Sequence, residues 1–99
     1  MKTFNEKCYD LLMQIPKGKI TTYKLIAEAL NTKAYLAVGN AMKNNPYVLT
    51  VPCHRVVHSN GNVGGYVKGI EKKIEILKSE GIDISNNKII NLKKYLFRF

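Results

Sequence analysis

Cys53, His54 and Arg55 stand side by side in this sequence, directly after Pro52. A cysteine becomes a nucleophile where its thiolate is favoured, and an adjacent imidazole, a cation or a helix N-terminus each favours it. All three have candidates here: His54, Arg55, and Pro52, a residue frequent at the start of helices. The same Cys-His pair also fits a buried structural cysteine, and Cys8, on the inward face of an amphipathic helix, reads that way. A metal site built from Cys53, His54 and His58 is the third option. Its spacing matches no common zinc pattern and a fourth ligand is missing, so no metal is expected.

Helices must carry this segment. Thr3-Phe4-Asn5-Glu6 has the form of a capping box, and Phe4, Cys8, Leu11, Leu12 and Ile15 follow at helical spacing until Pro16, which predicts a helix over residues 3–15. Pro16 to Lys19 reads as a turn. Thr22 can then cap a short helix carrying Leu25, Ile26 and Leu30, ended by Asn31. A further helix starts near Ala34, with Ala37, Val38, Ala41 and Met42 on one face, and Asn45-Pro46 stops it. Two short helices joined by a tight turn suggest a helix-turn-helix, and Tyr35, Leu36, Asn40, Lys43 and Asn44 lie on the outward side of its second helix. An αα-hairpin buried in a core fits the same pattern.

Tyr47 to Val51 is an apolar, β-branched run that leads into the Cys53 segment, and Ser59 to Gly65 is a glycine-bearing loop. Residues 69–80 form the last strong helix, with Ile70, Ile74 and Leu77 inward and Gly81 as its stop. The tail offers a small hairpin at Asn86-Asn87, then Leu92, Tyr95, Leu96 and Phe99 spaced like one helical face.

The 99 residues, 45% hydrophobic, suit one small domain spanning residues 1–99. Sixteen Lys and Arg against seven Asp and Glu give a net charge of +9. A polyanion, nucleic acid first, is the partner this charge suits, although a solvated lysine surface would look alike. Two cysteines in unlike settings suit reduced thiols in a cytoplasm. No stretch has the length or apolarity of a signal peptide or a membrane span, so no membrane is expected.

The stretch from Asn45-Pro46 through Pro52-Cys53-His54-Arg55-Val56-Val57, followed by Gly64-Gly65-Tyr66, Lys73 and Glu80-Gly81, resembles the C-terminal domain of the O6-alkylguanine-DNA alkyltransferases. Ile15-Pro16-Lys17-Gly18, Thr21-Thr22-Tyr23 and Ala37-Val38-Gly39 extend the resemblance over roughly residues 4–82. It implies a mainly α fold: a compact, winged-helix-like helix-turn-helix domain with a short strand or hairpin. It implies a monomer without a cofactor that binds double-stranded DNA in the minor groove, flips O6-alkylguanine out of the stack, and takes its alkyl group irreversibly onto Cys53.

In that mechanism His54, bridged by water to Cys53 and held by Glu80, takes the thiol proton. Tyr66 donates a proton to the leaving guanine and Lys73 is the supporting cation. Asn45 links the recognition helix to the active-site segment, and the carbonyls of Cys53 and Val56 read the base, with Val67 beside them. Thr22, Tyr23, Leu36, Ala37, Gly39, Asn40, Lys43 and Arg55 are the expected DNA contacts, Tyr23 pressing on the target phosphate.

Two positions depart from the family. Leu36 stands where most relatives carry the arginine that fills the gap left by the flipped base, and Val67 where they carry a serine. A leucine still wedges between bases but makes no hydrogen bond to the orphaned partner. A binding-only alkyltransferase-like sensor that recruits excision repair is the alternative function, and such proteins usually replace the cysteine retained here. A small transcriptional regulator is a third, and it leaves Pro52 to Val56 without a purpose.

Overall fold

Thr3 opens the chain's first helix with a reciprocal cap: its Oγ1 accepts from Glu6 N at 3.2 Å and Glu6 Oε1 accepts from Thr3 N at 3.0 Å. The structure, a computed structural model, describes residues 2–47 and 50–99. Helix α1 spans Phe4–Leu12, shorter than the expected 3–15. Gln14 N and Ile15 N donate instead to Leu11 and Leu12 in tighter turns, as the residue before Pro16 must leave the helical region. Lys19 N then donates to Pro16 O at 3.1 Å, closing a turn in which Gly18 has φ +88.

Strand β1 (Thr21–Thr22) pairs in parallel with β2 (Val56–Val57), Thr21 facing Val56 and Thr22 facing Val57. Thr22 is also the cap of α2 (Tyr23–Ala29), its hydroxyl accepting from Leu25 N at 3.0 Å. Asn31, at φ 59, turns the chain toward α3 (Tyr35–Lys43). Val38, Ala41 and Met42 of α3 are buried while Leu36 is 86% exposed, so the inward and outward faces divide as the spacing predicts. Tyr9 of α1 donates to the Ala41 carbonyl at 2.8 Å, which pins α3 on α1.

Of the run from Tyr47 to Val51, Val48 and Leu49 lie outside the described residues. At its ends Thr50 N and Val51 N both donate to Tyr47 O, at 2.9 and 2.7 Å. Cys53–Arg55 forms a single 3₁₀ turn before β2.

Helix α4 (Ile70–Ser79) follows Gly69 at φ +94, and Gly81 at φ +91 leaves it. Its buried stripe corrects the expected one: Lys73 and Leu77 are fully buried, whereas Ile70 is 36% exposed. Strands β3 (Ile84–Ser85) and β4 (Lys88–Ile89) form the expected hairpin, with Asn86 and Asn87 both at positive φ as a two-residue turn requires. The tail does not continue as one helical face. After the single turn α5 (Leu92–Tyr95) it extends, with Ile20 N donating to Tyr95 O at 2.9 Å and Phe97 N to Ile20 O at 2.8 Å. Those bonds satisfy the backbone ahead of β1, which no other strand covers.

Two buried clusters result. Cys8, Leu12, Ile26, Val38, Cys53 and Val56 belong to the one under α1 to α3. Ile20, Val57, Val63, Leu77, Ile89 and Tyr95 belong to the one under α4 and the hairpin. The β1 and β2 pair runs between them and carries the Cys53 segment at its end.

Candidate active site

Cys53 begins the 3₁₀ turn, its N–H donating to Val51 O at 2.8 Å, while Arg55 N donates to Pro52 O at 3.0 Å. Pro52, at φ −79, donates no hydrogen bond and is preset for such a turn. Cys53 is 4% exposed. That remaining surface opens into a groove of about 840 Å3 between α3 and the loop around Tyr66. Tyr23, Leu36, Gly39, Asn40, Lys43, Tyr66 and Val67, all singled out from the sequence, line the same groove. No acidic side chain lines it among the described residues.

The two residues after Cys53 belong to a charge network assembled from three distant segments. His54 Nε2 lies 3.1 Å from Glu80 Oε2. Arg55 Nε donates to Glu80 Oε1 at 3.0 Å, Nη2 to Glu80 Oε2 at 2.8 Å, and Nη1 to the Ile15 carbonyl at 2.8 Å. Burial pushes the Glu80 carboxyl up, but the Arg55 and His54 contacts outweigh it and hold it below its ordinary range. Burial holds the His54 imidazole below its ordinary value against the upward pull of Glu80, which keeps the ring neutral near pH 7. A neutral ring donating from Nε2 to a carboxylate has its free lone pair on Nδ1.

Arg55, expected at the DNA, is 14% exposed and directs three donors at Glu80 and the Ile15 carbonyl inside the protein. Thr22 is likewise displaced from the surface, 3% exposed with its hydroxyl occupied as the α2 cap. Ala37 is half-buried on α3 between the groove residues Leu36 and Gly39.

Lys73, the expected supporting cation, reaches the Tyr66 loop through that loop's backbone. Its ammonium donates to Val56 O at 2.7 Å and Gly65 O at 3.0 Å rather than to the Tyr66 hydroxyl. Burial pushes it down to about 8, with the nearby Cys53 sulfur pulling the other way. The Val56 carbonyl thus already holds one internal donor, and the Cys53 carbonyl accepts from Val56 N. Each retains a second lone pair. Tyr66 approaches the His54 ring edge-on, with centroids 6.5 Å apart, and burial raises its hydroxyl. Asn45 is buried, donates from Nδ2 to Val51 O at 3.1 Å and accepts from Tyr47 N at 2.8 Å. Its side chain ties the end of α3 to the approach to Cys53.

Cys8 is wholly buried and burial pushes its thiol up to about 11. Among the described residues no three His, Cys, Asp or Glu side chains are grouped to hold a metal ion, and no helix is long and apolar enough to cross a membrane. Tyr35, placed on the outward side of α3 by the sequence, also lines the groove, as do Met42 and His58, which were not expected there. The exposed aromatic of Tyr35 was legible from its outward position on α3. His58 carried no signal beyond its nearness to Cys53.

The family described as 6-O-methylguanine DNA methyltransferase, DNA binding domain, matches residues 3–82. A methylated-DNA–protein-cysteine methyltransferase of Saccharolobus solfataricus is 44% identical over 81 residues, 82% of this chain and 52% of that protein. The crystal structure of an O6-methylguanine-DNA methyltransferase from Pyrococcus kodakaraensis is similar with a TM-score of 0.74 and 46% identity, over 83% of this chain and 48% of the other. S. pombe Atl1, in complex with damaged DNA containing O6-carboxymethylguanine, is similar over 99% of both chains with a TM-score of 0.83 and 30% identity. The chain spans about half the length of the curated relatives it matches, or less.

Proposed function

The chain belongs to the 6-O-methylguanine DNA methyltransferase family through its DNA-binding domain, and from that premise we propose that it binds duplex DNA containing O6-alkylguanine and takes the alkyl group irreversibly onto Cys53. One observation carries this reading: the thiol opens into the groove beside α3 while His54, Glu80 and Arg55 form a bonded chain behind it. A buried structural cysteine needs no such support, as Cys8 illustrates.

In the proposed reaction the extruded base enters the groove past Tyr66. His54 Nδ1 takes the Cys53 proton through a water while Glu80 fixes the ring, and Arg55 fixes Glu80. Sγ then forms a bond to the alkyl carbon as the carbon–O6 bond breaks, and the electron pair leaves on guanine. Tyr66 donates a proton to that anion. Lys73 acts on this step as a positioning residue, holding the Gly65 carbonyl of the Tyr66 loop, and its buried positive charge favours the thiolate. The displacement balances without a cofactor or metal. Helix α3 enters the minor groove with Leu36 as the wedge, Ala37 and Gly39 allowing close approach, and Asn40 and Lys43 at the backbone. Residues 1–99 act as one domain, a monomer suited to the reducing cytoplasm.

The test is intact mass after incubation with an O6-methylguanine duplex. A gain of one methyl group located on Cys53 supports transfer, and its absence in Cys53→Ser assigns the site. Unmodified protein that nevertheless binds the lesion tightly selects a second reading, a lesion sensor that recruits excision repair. The likeness to Atl1 along its whole length and the loss of an arginine at Leu36 favour that alternative.

A further inference from the structure

Thr21 is wholly buried, and among the described residues its Oγ1 is the one buried side-chain nitrogen or oxygen without a hydrogen-bond partner. A buried hydroxyl without a partner is costly, so its presence calls for a polar group that it serves. The strand register says which. Thr21 stands directly opposite Val56, whose N–H donates to the Cys53 carbonyl, and residues paired in this way project to one face of the sheet. Val56 belongs to the cluster under α1 to α3 that includes Cys53, whereas Ile20 and Val57, one place away on each strand, belong to the other cluster. The alternation therefore turns the Thr21 side chain to the Cys53 side. Other polar side chains there are engaged: the Tyr9 hydroxyl donates to Ala41 O, and Asn45 bonds Val51 O and Tyr47 N. The Cys8 thiol is a weak partner. What remains is the Cys53 thiol and His54 Nδ1, since Glu80 takes the Nε2 side of that ring.

Resting on the alkyl-transfer reading above, we propose that Thr21 is a positioning residue for the proton relay, its hydroxyl and His54 Nδ1 together holding the water that takes the Cys53 proton. Buried waters typically make about three hydrogen bonds, and this one meets that number: it donates to Thr21 Oγ1 and to Nδ1, and it accepts from the thiol. In the relay the S–H bond breaks as its proton passes to the water oxygen, and the water proton lying on Nδ1 passes to the ring. Thiolate and imidazolium result, the water is restored, and the hydroxyl is unchanged. With one of its protons fixed by Thr21, the water keeps a lone pair on the thiol while its other proton stays on Nδ1. Without the hydroxyl the water turns about the Nδ1 bond, and the thiol loses a fixed acceptor. A strand residue that only packed against the core would be served by valine, which has the same shape and no polar atom to bury.

Single-turnover transfer from an O6-methylguanine duplex, with protein in saturating excess and intact mass as the readout, tests this in wild type, Thr21→Val, Thr21→Ser and Thr21→Ala. Fluorescence anisotropy gives the affinity of each protein for the same duplex. Thr21→Val is expected to transfer roughly tenfold more slowly at saturation, the worth of one hydrogen bond, with its affinity for the duplex unchanged. Thr21→Ser loses a methyl group but keeps the hydroxyl, and should transfer within about twofold of the wild-type rate. Thr21→Ser and Thr21→Ala differ only in the hydroxyl, so the same gap between them carries the test should Thr21→Val not fold. A wild-type rate in Thr21→Val, equal losses in Thr21→Ser and Thr21→Ala, or a loss in affinity rather than in rate overturns the relay role and leaves the alkyl-transfer reading standing. Failure of wild type to take up the methyl group overturns both.

Discussion

Replacing Arg55 by Met should unfold the protein more readily than removal of any other charge, and the structure sets the size of the effect. The substitution keeps most of the side-chain volume but deletes three donors, two to Glu80 and one to the Ile15 carbonyl. Glu80, whose side chain is 8% exposed, then keeps His54 alone as a partner. Breaking a buried pair from one side costs about 3–5 kcal/mol, and because neither side chain is wholly sealed the lower end applies, about 3 kcal/mol. Such a loss is a large part of the roughly 5–15 kcal/mol that holds a domain of this kind folded. It corresponds to a fall in Tm of about 15 °C.

The pH dependence fixes the cause. Glu80 is held below its ordinary 4.5 in the folded protein, so its contribution is present above pH 4.5 and lost as pH falls through the folded value. The gap between wild type and Arg55→Met should therefore be full at neutral pH and close in acid. Urea unfolding of both proteins at a series of pH values measures it. A gap below about 1 kcal/mol, the worth of a solvated pair, or one that stays constant into acid, would refute the reasoning.

Lys73 titrates at about 8 in the fold against 10.5 when unfolded, so wild type should gain stability as pH rises between those values, and Lys73→Met should lose that slope in pH-dependent unfolding. Leu36→Arg, at a position 86% exposed, should leave Tm unchanged and tighten binding to the alkylated duplex by roughly tenfold at fixed salt, as one added phosphate or base contact would. Native iodoacetamide labelling should modify Cys53 and spare Cys8, whose thiol is buried and pushed up to about 11, and peptide mass mapping distinguishes them.

Local rules carried the sequence reading far where the partner is near. The Thr3 cap, the Thr22 cap, the outward face of α3 and the Asn86-Asn87 turn each depend on residues within a few positions, and each stands where expected. Of the long-range pairs, that of His54 with Glu80 was legible only through the family resemblance, and the others were not legible. Nothing near Arg55 says that its guanidinium will find a carboxylate 25 residues on, and a cation beside Cys53 suits a DNA contact as well. Periodicity put Ile70 inward because it counts apolar residues. It could not know that two carbonyls would wait for the Lys73 ammonium and so make a lysine the buried member of that stripe. The tail failed for the same reason: Ile20 offers it a strand partner 75 or more residues earlier in the chain. His58 was visible only as a metal ligand that lacked companions, since its packing against the Tyr23 ring is a property of the folded loop.

The turn at Gly18 packs under the Glu80 carbonyl, and the Ile15 carbonyl beside it receives Arg55. The carboxylate that orients His54 is thus seated by both ends of the domain at once. A nascent chain that has left the ribosome only as far as residue 79 already displays Cys53 and His54, but no Glu80. The imidazole of His54 therefore gains its carboxylate partner only once the end of α4 has docked against the turn at Gly18.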